Sequence, residues 1–97
     1  MSHGFRPAAR QKLLEAVKWY LADGGPAVAE KFESTVERAI RVLQFMPLLG
    51  KQDYPSARTW PMTRFPYTLV YRVSDGEITV LAVAHQSREP GYWRGRD

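Results

Sequence analysis

The sequence predicts an α+β fold, a helical hairpin packed on one face of a small, mainly antiparallel β-sheet, and three observations predict it. Two stretches with apolar residues at helical spacing adjoin across Gly24-Gly25-Pro26. Two strand-like stretches meet at Asp75-Gly76, a dipeptide that accepts the positive φ angles of a two-residue type I′ turn. A shorter run, Ala57 to Met62, supplies a further strand just before that hairpin.

Taken in order, His3-Gly4-Phe5-Arg6 fits a first edge strand ending at Pro7. From Ala8 to Asp23, Leu13, Leu14, Val17, Tyr20 and Leu21 follow the spacing of an amphipathic helix. Gly24-Gly25 stops that helix, since glycine adopts the left-handed conformation that a helix end commonly needs. Pro26 suits the first turn of a second helix, where its missing N–H costs nothing. Val28, Phe32, Val36, Ala39, Ile40 and Leu43 form the buried stripe of that helix, and Pro47 ends it. Leu48 to Ser56, rich in Gly, Pro and polar residues, reads as a loop. Pro61 has no N–H for a sheet ladder and places the Ala57–Met62 strand at an edge, or marks its end. Thr68–Val73 and Glu77–His85 are the hairpin strands. Within the second, Ile78 to Ala84 is nearly all apolar, the pattern of a central strand buried on both faces.

The turn also sets an expected register: Ser74 with Glu77, Val73 with Ile78, Tyr71 with Val80 and Leu69 with Ala82. Leu69, Tyr71, Val73, Ile78, Val80 and Ala82 then face the helices, because side chains alternate across a sheet. Thr68, Val70, Arg72, Thr79, Leu81, Val83 and His85 share the other face, which combines a cation and an imidazole with apolar side chains. Val70, Leu81 and Val83 are expected as an exposed patch there, of the kind that marks a partner site, unless Tyr92-Trp93 folds over it.

Ninety-seven residues, 44% hydrophobic and 25% charged, are expected to form one globular domain spanning 1–97. The absence of cysteine rules out a disulfide framework and a thiolate zinc site and fits a cytoplasmic location. Neither a cofactor nor a metal is expected. The N-terminal apolar pattern, interrupted by Lys12, Glu15 and Lys18, is neither a signal peptide nor a membrane span. The net charge of +4 favours an acidic partner, whether nucleic acid or an acidic protein segment. From Ala57 onward every basic side chain except His85 is arginine, whose planar fork binds phosphate or carboxylate at two points.

No nucleotide loop, nucleophile elbow or triad is present. His85 is a candidate general acid or base, since imidazole gives and takes protons near neutral pH; its plainer role is a strand-end histidine bonded to backbone. Arg72 is a candidate phosphate or carboxylate ligand, or an ordinary surface cation. The segment Ser87-Arg88-Glu89-Pro90-Gly91-Tyr92-Trp93-Arg94 interleaves cations with aromatics, a mixture that can contact phosphate and stack bases or simply anchor the C-terminus. Arg88, Arg94 and, just beyond it, Arg96 are the functional candidates there, with Trp93 the anchor; Trp19 and Trp60 are read as packing residues.

Phe65-Pro66-Tyr67 leading into Leu69-Val70-Tyr71-Arg72-Val73, the return strand Val80-Leu81-Ala82-Val83-Ala84-His85 and the tail Arg88-Glu89-Pro90-Gly91-Tyr92-Trp93 resemble the RelE/ParE toxin superfamily, especially plasmid-stabilisation proteins of the ParE type. The resemblance implies a small cytoplasmic toxin of a type II toxin–antitoxin module, neutralised by a cognate antitoxin whose disordered C-terminal segment folds across it. It implies DNA gyrase as target, poisoned by binding and without an active site of the toxin's own. In the RelE branch, by contrast, members cut messenger RNA on the ribosome with basic residues that hold the scissile phosphate. One is an arginine just after the aromatic that opens the first hairpin strand, where this chain has Thr68. The alternative is therefore an endoribonuclease using Arg72, His85 and Arg88, and a third reading is a non-toxic, binding-only relic of the fold. In either toxin reading Val70, Arg72, Leu81, Val83, Arg88 and Arg94 are expected to meet the partner.

Overall fold

Asp75 and Gly76 adopt φ angles of 51° and 72°, so the turn at the tip of the hairpin is the one its dipeptide demands. It joins the two longest strands of a five-stranded sheet in a computed structural model that describes residues 2–53 and 56–87. The strands are β1 (Ser2–Phe5), β2 (Lys51–Asp53), β3 (Ala57–Pro61), β4 (Tyr67–Ser74) and β5 (Glu77–His85), in the spatial order β1-β5-β4-β3-β2. β1 runs parallel to β5, and every other pairing is antiparallel. Lys51–Asp53, expected in a loop, is an edge strand: three polar residues carry no apolar alternation, and backbone pairing with Ala57–Thr59 alone makes them a strand.

Between β1 and β2 the chain is helical over Pro7–Phe45 (α1), with Pro7 in the first turn and Arg10 N–H donating to the Arg6 carbonyl at 3.0 Å. Inside α1, Gly25 has φ 84° and ψ 177°, outside helical geometry and in a region only glycine enters freely. The chain reverses there. A continuous helix would hold Tyr20 and Phe32 about 18 Å apart along its axis, yet their rings lie 4.9 Å apart. Residues 7–24 and 26–45 are thus the two arms of the expected hairpin, with Pro26 opening the second arm.

The arms bury Ala9, Ala16, Phe32, Val36, Ile40 and Leu43 against Leu69, Tyr71, Ile78 and Val80 of the sheet. Each of the larger of these apolar side chains, Val, Leu, Ile or Phe, contributes roughly 1.5–3 kcal/mol relative to exposure. Tyr20, Phe32, Phe65 and Tyr67 meet mostly at steep interplanar angles in one aromatic cluster, which ties both arms to the entrance of β4.

The register departs from expectation at one place. Ser74↔Glu77, Val73↔Ile78 and Tyr71↔Val80 pair as read from the turn, but Val70 pairs with Ala82 and Leu69 with Val83. Leu81 is an extra residue, a β-bulge that shifts everything beyond it by one position. Val83 consequently joins the helix-side core, while Val70, Leu81, Ala82 and Ala57 form a separate buried cluster on the other face. Ala82 and Val83 have therefore exchanged the faces expected for them. The exchange places the larger side chain where the helices need volume.

Tyr71 holds the remaining loop. Its hydroxyl donates to the Pro47 carbonyl at 2.7 Å and accepts the Gly50 N–H at 2.9 Å. Arg58 adds hydrogen bonds to the carbonyls of Leu48 and Gly50, at 3.2 and 2.9 Å. A Cβ on Gly50 would stand 2.5 Å from the Tyr71 hydroxyl and 2.9 Å from the Thr59 carbonyl, so the loop approaches the sheet this closely only with glycine. Tyr71→Phe strands the buried Gly50 N–H and is expected to cost roughly 1–3 kcal/mol in urea unfolding, with the fold retained.

The same hydroxyl makes stability sensitive to alkali. Burial raises the Tyr71 pKa above 10.0, although the Gly50 hydrogen bond and Arg58 pull it back down. The folded chain then keeps a proton that the unfolded chain gives up. The contribution is complete below the unfolded value and is lost as pH rises through the folded one. Unfolding midpoints measured upward from pH 9 should fall for the native chain, and less steeply for Tyr71→Phe.

Candidate functional site

The bulge distributes the candidate residues over two sides of the sheet. Arg72, half-buried, sits on the face away from the helices and pairs with Thr79. Thr68 is on the same face and pairs with Ala84. Val70 and Leu81 lie there too but are only 1% and 5% exposed, and Val83 on the helix side is 2% exposed. The three do not form an exposed patch: the bulge sends Val83 to the core, and Val70 and Leu81 are shielded with Ala57 and Ala82. Arg88, Arg94, Tyr92 and Trp93 lie outside the described residues.

His85 does not share Arg72's face. The shifted register pairs it with Tyr67, whose ring it meets edge-on at 5.0 Å. It borders a corner pocket of about 220 Å³ between the first arm and the end of β5, together with Lys12, Glu15, Trp19, Tyr67 and Val83. Burial raises the pKa of Tyr67, so its phenol stays neutral beside the imidazole at physiological pH. The Ser87 N–H donates to His85 Nδ1 at 3.1 Å, and Ser87 Oγ lies 2.7 Å from the same nitrogen. An amide can only donate, so Nδ1 accepts and a neutral ring carries its proton on Nε2. The backbone amide of Ser87 thus fixes the orientation of the ring at the end of β5. Nitrogen-15 NMR of neutral His85 should show the Nε2–H tautomer; a protonated Nδ1 would contradict the hydrogen bond from Ser87.

A larger groove, about 350 Å³, runs between the second arm and the β3–β4 connection. The arm contributes Lys31, Thr35, Arg38 and Val42 to one wall, at the spacing of a single helix face. Trp60, Met62 and Arg64 form the other. The lining is more apolar than polar, and no acidic residue borders it among the described residues. Lys31, Arg38 and Arg64 are exposed and have no ion-pair partner among the described residues. Arg64 has φ 73°, left-handed backbone that costs a non-glycine residue of order 1–3 kcal/mol. At the open end the arm continues into Phe45, 86% exposed, and Met46.

Sequence reasoning missed this groove. Its signal was the Lys31, Thr35, Arg38, Val42, Phe45 spacing, a polar-to-apolar stripe beside the buried one. Nothing local in the sequence places Trp60 or Arg64 opposite it.

The described residues thus form an α+β domain, a helical hairpin on one face of a five-stranded sheet, with a surface groove rimmed by Lys31, Arg38 and Arg64. The family model described as ParE toxin of type II toxin–antitoxin system, parDE, matches residues 4–90, and the chain belongs to that family. A solved structure of the chromosomal ParDE toxin–antitoxin system from P. aeruginosa superimposes with a TM-score of 0.76 at 25% identity, covering 88% of this chain and 95% of that one. No curated protein matched the sequence.

Proposed function

We propose that residues 1–97 act as one toxin domain that poisons DNA gyrase by binding it, and that a cognate antitoxin neutralises the toxin in the cytoplasm. Membership of the ParE family supports the toxin–antitoxin setting. The observation that carries the choice of gyrase over messenger RNA is the separation of Arg72 from His85 by the sheet, with an uncharged residue, Thr68, further along Arg72's face. A ribonuclease of this fold needs cations gathered on one phosphate, because that charge stabilisation is a large part of the catalysis. Among the described residues, no helix is long and apolar enough to cross a membrane.

On this reading induction of the protein alone arrests growth, produces gyrase-dependent DNA breaks and inhibits supercoiling by purified gyrase. Ribosome-bound messenger RNA stays intact. Codon-positioned cleavage abolished by His85→Ala or Arg88→Ala would establish the endoribonuclease instead, and unimpaired growth would indicate a binding-only relic.

The antitoxin's contact with the sheet face away from the helices centres on half-buried Arg72, with Arg88 and Arg94 following in sequence and buried Val70 and Leu81 as packed support. Carboxylates opposite Arg72 suit its two-point geometry. Arg72→Glu, at a half-buried position, should fold normally and weaken antitoxin binding. Leu81→Asp is a poorer probe, because a carboxylate in that buried cluster costs several kcal/mol of stability.

A further inference from the structure

We propose that the corner pocket between the first helical arm and the end of β5 binds a single guanine base, held by its hydrogen-bonding edge. The pocket lies on the helix side of the sheet, away from Arg72, and the inference stands apart from the gyrase reading.

Three kinds of surface meet in this pocket. Ala16 and Val83 are buried and form its apolar floor. Trp19 shares one helix face with Lys12, Glu15 and Ala16 and is 58% exposed, a flat wall on which a base can stack. The rim carries the selection. Lys12 Nζ lies 3.5 Å from Glu15 Oε1, and Gln11 Nε2 donates to Glu15 Oε2 at 3.3 Å. One donor and two acceptors thus stand in a row, Nζ, Oε1 and Oε2, and each carboxylate oxygen keeps a lone pair for a further donor. The Watson–Crick edge of guanine is the complement: the O6 acceptor, then the N1–H and N2–H donors. Across the pocket, His85 accepts the Ser87 N–H through Nδ1, so Nε2 carries a proton, with no hydrogen-bond partner among the described residues. Nε2–H is the donor for N7, the acceptor next to O6. At about 220 Å³ the pocket is smaller than the roughly 300–1,000 Å³ that encloses a drug-sized ligand. One ring system enters, and sugar and phosphate stay outside.

A cationic guest is the competing occupant, since an aromatic face beside a carboxylate attracts ammonium groups. The observations favour guanine. Lys12 already sits against the Glu15 carboxylate, and the chain's net charge of +4 repels a cation while attracting a phosphate-bearing ligand. Adenine fits the row poorly. It turns its N6 amine toward Lys12 and its N1 lone pair toward Glu15, donor against donor and acceptor against acceptor. The guanine arrives on a free nucleotide or as an unpaired residue of a single strand; the edge recognised is the same.

The test titrates the purified chain by calorimetry with GMP, AMP, IMP, which lacks the N2 amine, and 7-deaza-GMP, which lacks the N7 acceptor. GMP should bind at least about tenfold more tightly than AMP or IMP. Glu15→Gln should remove that preference, because an amide turns one acceptor into a donor. Trp19→Ala should weaken GMP by at least about fivefold. The difference between GMP and 7-deaza-GMP should vanish in His85→Ala, which a merely structural role for the ring would not produce. Glu15 and Trp19 are exposed, so these substitutions leave the core alone, and circular dichroism checks each fold. Lys18→Glu, an exposed position on the same arm outside the pocket, should stay within about twofold. Two thymine oligonucleotides, one with a single guanine and one with adenine in its place, separate the sources. A Glu15-dependent preference for the guanine strand, tighter than GMP, supports the site with a strand as source; GMP binding as tightly supports it with a free nucleotide. Equal affinity for GMP and AMP overturns the site, as does native affinity in Glu15→Gln and Trp19→Ala, or no saturable binding of GMP or the guanine strand. Tetramethylammonium binding that is lost in Trp19→Ala, with GMP unbound, overturns it in favour of a cation.

Discussion

One extra residue in β5 governs how this molecule presents its chemistry. Leu81 bulges opposite the step between Tyr71 and Val70, and every side chain from Ala82 to His85 lies on the face opposite to the one that unbroken pairing would give. Val83 becomes core, Ala82 joins Leu81 in the buried cluster on the face away from the helices, and His85 turns toward the first helical arm. Without the bulge, Ala82 and Ala84 would face the helices, and two methyl groups would leave that end of the core underfilled. The packing demand that fixes the fold is therefore the same one that parts Arg72 from His85. A change of function that needed both groups on one phosphate would have to undo a buried register, not merely change surface residues.

The rest of the scaffold hangs on two close approaches. Gly25 lets the helical segment double back, so that Tyr20 and Phe32 meet Phe65 and Tyr67 at the point where the chain enters β4. Tyr71 and Gly50 bring the loop after the second arm down onto the sheet, with Arg58 bonding two of its carbonyls. Together these contacts hold the second arm and β3 at a fixed separation, which makes the groove between them a property of the fold rather than of mobile side chains. Its walls are set by core residues of the same elements, Val36 and Ile40 on the arm and Met62 at the end of the strand.

Much of this was legible in the sequence because local signals agreed with one another. The hairpin turn, the helix break at Gly25, the buried stripe from Phe32 to Leu43 and the edge strand before Pro7 each follow from residues within a few positions of the feature. The bulge was not legible, since Val80-Leu81-Ala82-Val83-Ala84 is apolar throughout and offers no polar residue to betray a change of face. Lys51–Asp53 escaped for the opposite reason, being wholly polar and a strand only through its partner. The groove needed three dimensions: its arm stripe is readable as helical spacing, but Trp60 and Arg64 reach it only through the path of β3 and the turn that follows.

The cost of leaving that groove open bears on what can bind there. The exposed Val42 and the left-handed backbone of Arg64 are local costs of the free state, whereas Lys31, Arg38 and Arg64 stay hydrated at the exposed rim. A ligand that covers the apolar lining gains by burial, whereas one that supplies only charge leaves it wet and gains little at an exposed rim. Apolar burial governs how long such a complex lasts, and charge governs how fast it forms. At this groove Lys31, Arg38 and Arg64 supply the charge, and Val42 with the exposed run to Phe45 and Met46 supplies the apolar area.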